Sequence, residues 1–141
     1  MIDTFMDFDD ALKAADSLLP KGDYEFIVEK YERRDAAKGG WYWNWYLKVI
    51  NGEHVGKYFF YMTMPYNADG SVSTFGIANL AKLVQACGLR WTGTSFDETT
   101  LLGQTGRLHN EHAPRKEGGQ PVLDGDGAPV MQNEVTFPTR R

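Results

Sequence analysis

The chain has 141 residues, one domain's worth, with 42% hydrophobic and 24% charged residues; that balance excludes a wholly disordered chain. The one cysteine, Cys87, excludes a disulfide scaffold, and no apolar run approaches the roughly 18–20 residues of a membrane-spanning helix. The formal charge of −4 resides in residues 1–20, where Asp3, Asp7, Asp9, Asp10 and Asp16 face Lys13, while residues 21–141 carry 14 basic and 14 acidic groups. Binding by bulk positive charge is excluded, but a polyanion partner is not.

Residues 5–19 place Phe5, Phe8, Leu12, Ala15 and Leu19 on one face of a helix, with Pro20 and Gly22 to stop it, so residues 1–20 form an acidic helical leader. Residues 23–33 alternate as a strand, with Tyr24, Phe26 and Val28 on one side and Glu25, Ile27, Glu29 and Tyr31 on the other. A polar stretch ending in Gly39-Gly40 leads to a second strand at 41–50. Asn51-Gly52 opens a turn that runs on to Gly56, and a third strand covers 57–64. Phe75, Ala78, Leu80, Leu83, Val84 and Cys87 mark a helix over 74–87, closed by Gly88. Residues 97–102 make a short turn or helical piece, and a fourth strand spans 104–112. A long Gly/Pro-rich loop fills 113–129, and a fifth strand spans 130–137. The order β-β-β-α-β-β predicts a mainly β protein. It suits a five-stranded OB-fold Greek-key barrel over 21–141, with an α+β sheet as the other arrangement of the same order.

The chain holds nineteen aromatic residues, ten of them between Trp41 and Tyr66. Strand 41–50 carries Trp41, Trp43, Trp45, Leu47 and Val49 on one face and Tyr42, Asn44, Tyr46, Lys48 and Ile50 on the other. Taking Leu47 with Val49, and Phe60 with Met62, as core faces leaves Tyr42, Tyr46, Lys48, Phe59 and Tyr61 pointing outward. That would be a stacking platform on the two strands an OB-fold uses for ligand. Trp41 and Trp43 overrun the core at the loop end of a strand this long. Which face of the strand points outward stays open at this level. The other reading of these rings is core or cross-strand packing, which suits the Trp face better than the Tyr face. Arg33, Arg34 and Lys38 in the first loop, with Lys57 and Arg107, are candidate phosphate contacts or simply solvated charges.

These residues resemble a family of phage-encoded proteins long catalogued as a domain of unknown function. The resemblance lies in Leu19-Pro20-Lys21-Gly22-Asp23-Tyr24, Gly39-Gly40, Asn51-Gly52 with Gly56-Lys57, and the helix Gly76–Gly88. It extends to Leu102-Gly103-Gln104 and Asn133-Glu134-Val135 with Phe137. The resemblance implies an OB-fold single-stranded DNA-binding protein of phage replication or recombination. Such a protein would act in the host cytoplasm with replication or recombination proteins as partners, and has no catalytic residues to transfer. Unlike many such proteins, the chain ends in Arg140-Arg141 rather than an acidic tail.

The expectation is a non-enzymatic protein that coats single-stranded DNA without sequence preference and needs no cofactor or metal. Its contact set would be Tyr42, Trp43, Tyr46, Lys48, Phe59, Tyr61, Arg33, Arg34, Lys38, Lys57 and Arg107. A carbohydrate-binding or protein-interaction module is the alternative. His109 and His112 fall on opposite strand faces and lack the helical spacing of a zinc pair. Asp124-Gly-Asp126-Gly reads as a turn, and Cys87 as a core residue.

Overall fold

In a computed structural model, the structure describes residues 18–36, 39–91, 96–117 and 119–138. The predicted leader helix, Lys38 and the terminal arginines lie outside them. Five antiparallel strands form one sheet: β1 (Gly22–Asp35), β2 (Trp41–Val49), β3 (Tyr58–Thr63), β4 (Thr105–Pro114) and β7 (Met131–Thr136), ordered β3-β2-β1-β4-β7. The helix α1 (Thr74–Ala86) and a 3-10 turn (Glu98–Leu101) connect β3 to β4. Among the described residues the protein is thus mainly β with one α-helix, as expected. It is not a closed barrel, however. β3 and β7 end the sheet without pairing to each other, and the Tyr61 and Phe137 rings meet across the gap at 4.9 Å between centroids. A cleft of about 900 Å³ lies along this seam, lined by Tyr61, Phe75, Lys82, Glu134 and Phe137 among others.

Alternation decides which residues make the core. Phe26 and Val28 on β1, Trp45, Leu47 and Val49 on β2, Phe59 on β3 and Leu108 on β4 share one sheet face. α1 covers it with Leu80, Leu83, Val84 and Ala86. The helix starts where the Ser73 side chain accepts the Gly76 N–H. It ends in a Schellman motif, with the Gly88 N–H to Gln85 O and the Leu89 N–H to Val84 O; Gly88 takes the left-handed φ of 77° that this requires. Two glycines set the distance between layers. A Cβ on Gly76 would lie 1.6 Å from Met64 O, and one on Gly106 would lie 2.5 Å from Ala86 O. At the domain's start, buried Asn110 donates to the Leu19 and Pro20 carbonyls and to Asn133 Oδ1, which also accepts the Leu19 N–H.

Two local features depart from expectation. The β1–β2 register shifts between Val28 and Lys30, so Glu29 is the extra residue of a bulge. The bulge reverses the alternation. Tyr31, expected beside Glu25 and Ile27, instead packs on the core with its ring 5.2 Å from Trp45. The 113–129 segment is also not a structureless loop. β4 runs on to Pro114, and β5 (Lys116–Glu117) pairs with β6 (Gln120–Pro121). Val130 then ties the arm back through Arg115 and Val122. Asp124 makes the expected turn, its Oδ1 accepting the N–H groups of Asp126 and Ala128.

Candidate nucleic-acid interface

Among the described residues no element covers the sheet face opposite the core. β2 presents Tyr42, Asn44, Tyr46 and Lys48 there, as the sequence suggested, because Trp45, Leu47 and Val49 fill the core. The face of β3 is the reverse of the expected one. Leu47 pairs with Phe59, Trp45 with Tyr61, and Tyr46 with Phe60. Residues directly opposite in an antiparallel pair share a face. Phe59 therefore lies fully in the core. Tyr61 sits on the same side, donating its hydroxyl to Asn79 O at 2.9 Å, and burial pushes its pKa up to about 12. Phe59 and Tyr61 are thus removed from the candidate contact set, and Tyr58, Phe60 and Met62 take their place. Met62 is 62% exposed, which fits no core residue.

The outward rings are organised around Tyr46. Its ring meets Phe60 edge-on at 5.0 Å and Tyr58 at 6.2 Å, while Tyr58 and Phe60 lie nearly parallel, 19° apart. Lys30 Nζ lies 4.3 Å from the Tyr46 centroid on the β1 side. Tyr46 is left only 9% exposed, so it holds the platform together while Tyr42, Tyr58, Phe60 and Met62 form its accessible surface. Burial, then the hydrogen bond with Glu32, raises the Tyr46 pKa, keeping the phenol neutral.

Four cations share this face, and each has a carboxylate. Arg34 bonds Glu32 through Nη2 at 2.6 Å and Nε at 3.0 Å, and Lys30 reaches the same carboxylate at 3.6 Å. Lys48 lies 3.6 Å from Glu29, which also accepts the Tyr58 hydroxyl at 2.9 Å; Arg107 lies 3.5 Å from Glu25. Burial alone would raise the Glu32 pKa. Hydrogen bonds from Arg34 and Tyr46, with the charges of Arg34 and Lys30, outweigh it and hold the carboxyl below its usual value. Further along, His109 bridges Asp23 at 2.8 Å and Glu111 at 2.7 Å. His112 turns the other way, to Leu19 O.

At the end of β2 nearest the β1–β2 turn the arrangement differs. The bulge puts Arg33 on the Trp side of the sheet, opposite Trp43. Its guanidinium lies 3.9 Å from the Trp41 ring centroid, a cation–π contact, and it has no carboxylate partner among the described residues. Trp41 touches Trp43 and Tyr66, at 4.9 and 5.9 Å between centroids. Trp43 is fixed more deeply, against Trp45 and Phe96, and belongs with the core edge. Lys57 stands exposed in the β2–β3 turn, also without a carboxylate partner among the described residues.

The structure thus brings Tyr42, Tyr46, Lys48, Arg34 and Arg107 to one face and puts Arg33, over Trp41, on the other side of the sheet near the start of β2. It leaves Trp43, Phe59 and Tyr61 on the core side. Sequence reasoning missed Tyr58, Phe60 and Met62 as residues of the open face, Glu29 and Glu32 as partners of the cations, and Trp41 as the ring under Arg33. The parity of the β2–β3 turn was the signal that would have found the β3 residues.

These features define a β-sheet protein with a solvent-facing aromatic surface on two adjacent strands. The chain belongs to the family described as Protein of unknown function (DUF669), whose sequence pattern matches residues 6–112, a span that covers β1 to β3, α1 and most of β4. No curated protein matches the chain.

Proposed function

We propose that the protein binds single-stranded DNA without sequence preference, as a non-enzymatic coat protein of phage replication or recombination in the host cytoplasm. The supporting observation is the accessible surface formed by Tyr42, Tyr58, Phe60 and Met62 around the buried Tyr46. Bases stack on such rings for about 1–3 kcal/mol each, whatever their identity. Arg33, over the Trp41 ring on the other side of the sheet at one end of β2, and the exposed Lys57 at the other end would meet phosphates where the strand passes the sheet's ends. The strand order β3-β2-β1-β4-β7, with the helix between the third and fourth strands, supports reading the sheet as an OB barrel opened between its third and last strands. On that reading the aromatic face is the one OB-folds use for oligonucleotides. Titration of intrinsic Tyr and Trp fluorescence with oligo-dT at low salt tests the proposal. Quenching with a matching gel shift supports it; neither signal at low salt overturns it.

One observation favours a second reading. The cations on the face are already matched by Glu25, Glu29 and Glu32, and rings flanked by carboxylates also suit an uncharged sugar. Hits on a glycan array, with no response to oligo-dT, would establish the carbohydrate reading instead.

A further inference from the structure

We propose that Glu29 and Glu32 make the face selective for single strands over duplex DNA; the inference rests on the single-strand reading above. β1 lies beside β2 in the sheet, and the bulge at Glu29 turns two successive residues, Glu29 and Lys30, toward solvent. From there Glu32 occupies both Arg34 and Lys30, and Glu29 occupies Lys48 while fixing the Tyr58 hydroxyl. Glu25 does the same to Arg107 on β4.

The consequence follows from what each form of DNA offers. A duplex keeps its bases stacked and presents phosphates, so its affinity for a protein surface comes from free Lys and Arg that displace counterions. A single strand also presents base faces, whose stacking on rings does not depend on charge. A surface with rings available and cations cancelled rewards only the single strand. Carboxylates beside every cation of the face would repel duplex phosphates brought to those cations, which is specificity through a repulsive element. The Lys30–Glu32 and Lys48–Glu29 pairs are largely solvent-exposed, and such pairs contribute little to stability, whereas Arg34–Glu32 is half-buried. Folding therefore does not explain the two lysine pairs.

The test is the double variant Glu29→Gln/Glu32→Gln beside a control of equal net charge, Glu98→Gln/Asp126→Asn, whose residues lie off this face. Each protein is titrated with oligo-dT and with a blunt duplex of the same length over a salt series, and its melting temperature is recorded. The proposal expects the ratio of single-strand to duplex affinity to fall at least tenfold in the double variant. It also expects the salt slope to steepen by about 1.4, since the released Lys30 and Lys48 contribute roughly 0.7 each on a single strand. The control should behave as wild type. Wild type that binds dT, with a double variant whose ratio is unchanged or matched by the control, overturns this inference and leaves the single-strand reading standing. Wild type that does not bind dT removes the reading itself. Should the double variant melt early, Glu29→Gln alone, which releases Lys48, carries the same comparison.

Discussion

Phe59 and Phe60 are adjacent in the chain, and the register gives them opposite fates. Phe59 pairs with Leu47, is fully buried, and meets Tyr24 edge-on at 5.0 Å between ring centroids. Phe60 pairs with Tyr46 on the open face and is half-buried. Truncating Phe59 to Ala removes a core ring, which costs about 3–5 kcal/mol, a large part of the roughly 5–15 kcal/mol a domain has. Its effect on DNA affinity per folded molecule should be small. Truncating Phe60 to Ala removes a stacking surface worth about 1–3 kcal/mol, so oligo-dT affinity should fall roughly 5- to 150-fold. Urea unfolding and fluorescence titration, run on both variants, separate the two effects. If Phe59→Ala does not fold at 25 °C, Phe59→Leu, which leaves a smaller cavity, serves in its place. Loss of affinity in the Phe59 variant, with none in the Phe60 variant, would refute the assignment of faces and with it the platform.

Arg33→Ala should weaken oligo-dT binding and lower its salt slope by about 0.7, whereas Arg34→Ala, whose cation is already held by Glu32, should leave the slope unchanged; equal changes in the two would contradict the charge assignment. Thr63→Val takes away the acceptor of the buried Trp45 indole N–H, now 2.8 Å away, and should cost about 1–3 kcal/mol in urea unfolding, with stability equal to wild type as the refuting result. Gly76→Ala forces a Cβ onto Met64 O and should destabilise by at least the roughly 1–3 kcal/mol of an overpacked site; an unchanged midpoint would show that the helix can shift freely. Hydrogen bonds with Glu111 and Asp23 raise the His109 pKa above 6.5, so its contribution to stability is full below the unfolded-state value and is lost as pH rises through the higher folded one. Wild type should therefore lose stability relative to His109→Gln across that window, and parallel pH profiles would exclude the clamp.

Much of the architecture was legible in the chain. Alternation and turn residues located β1–β4, α1 and β7 within a few residues, because Gly52, Gly56 and Gly88 occupy positions where the backbone takes positive φ. Two kinds of information were not local. The first was register. Phe60 and Met62 are more apolar than Tyr61 and Thr63, so composition alone argued for the wrong core face of β3. The length of the turn after Val49 pairs residues of equal parity, and that places Phe59 with Leu47. The second was the bulge at Glu29. It flips alternation midway along β1, moving Tyr31 to the core, Arg33 to the Trp side and Arg34 to the Tyr side. The pairing of the cations is a consequence of these two facts. Glu29 and Glu32 read as ordinary strand carboxylates until the register sets Lys48, Arg34 and Lys30 around them. Barrel closure also depends on distant edges, and β3 and β7 do not meet as a ladder.

The central claim is that single-stranded DNA lies on the outward face of β2 and β3. The methionines report on it directly: Met62 stands on that face, Met64 lies beneath the β1–β2 turn beside Gly40, and Met131 is on β7. With the methionine methyl groups labelled with carbon-13, oligo-dT should move the Met62 signal strongly through the ring currents of stacked bases while leaving Met131 in place. An unmoved Met62 in a sample that binds DNA would contradict the account.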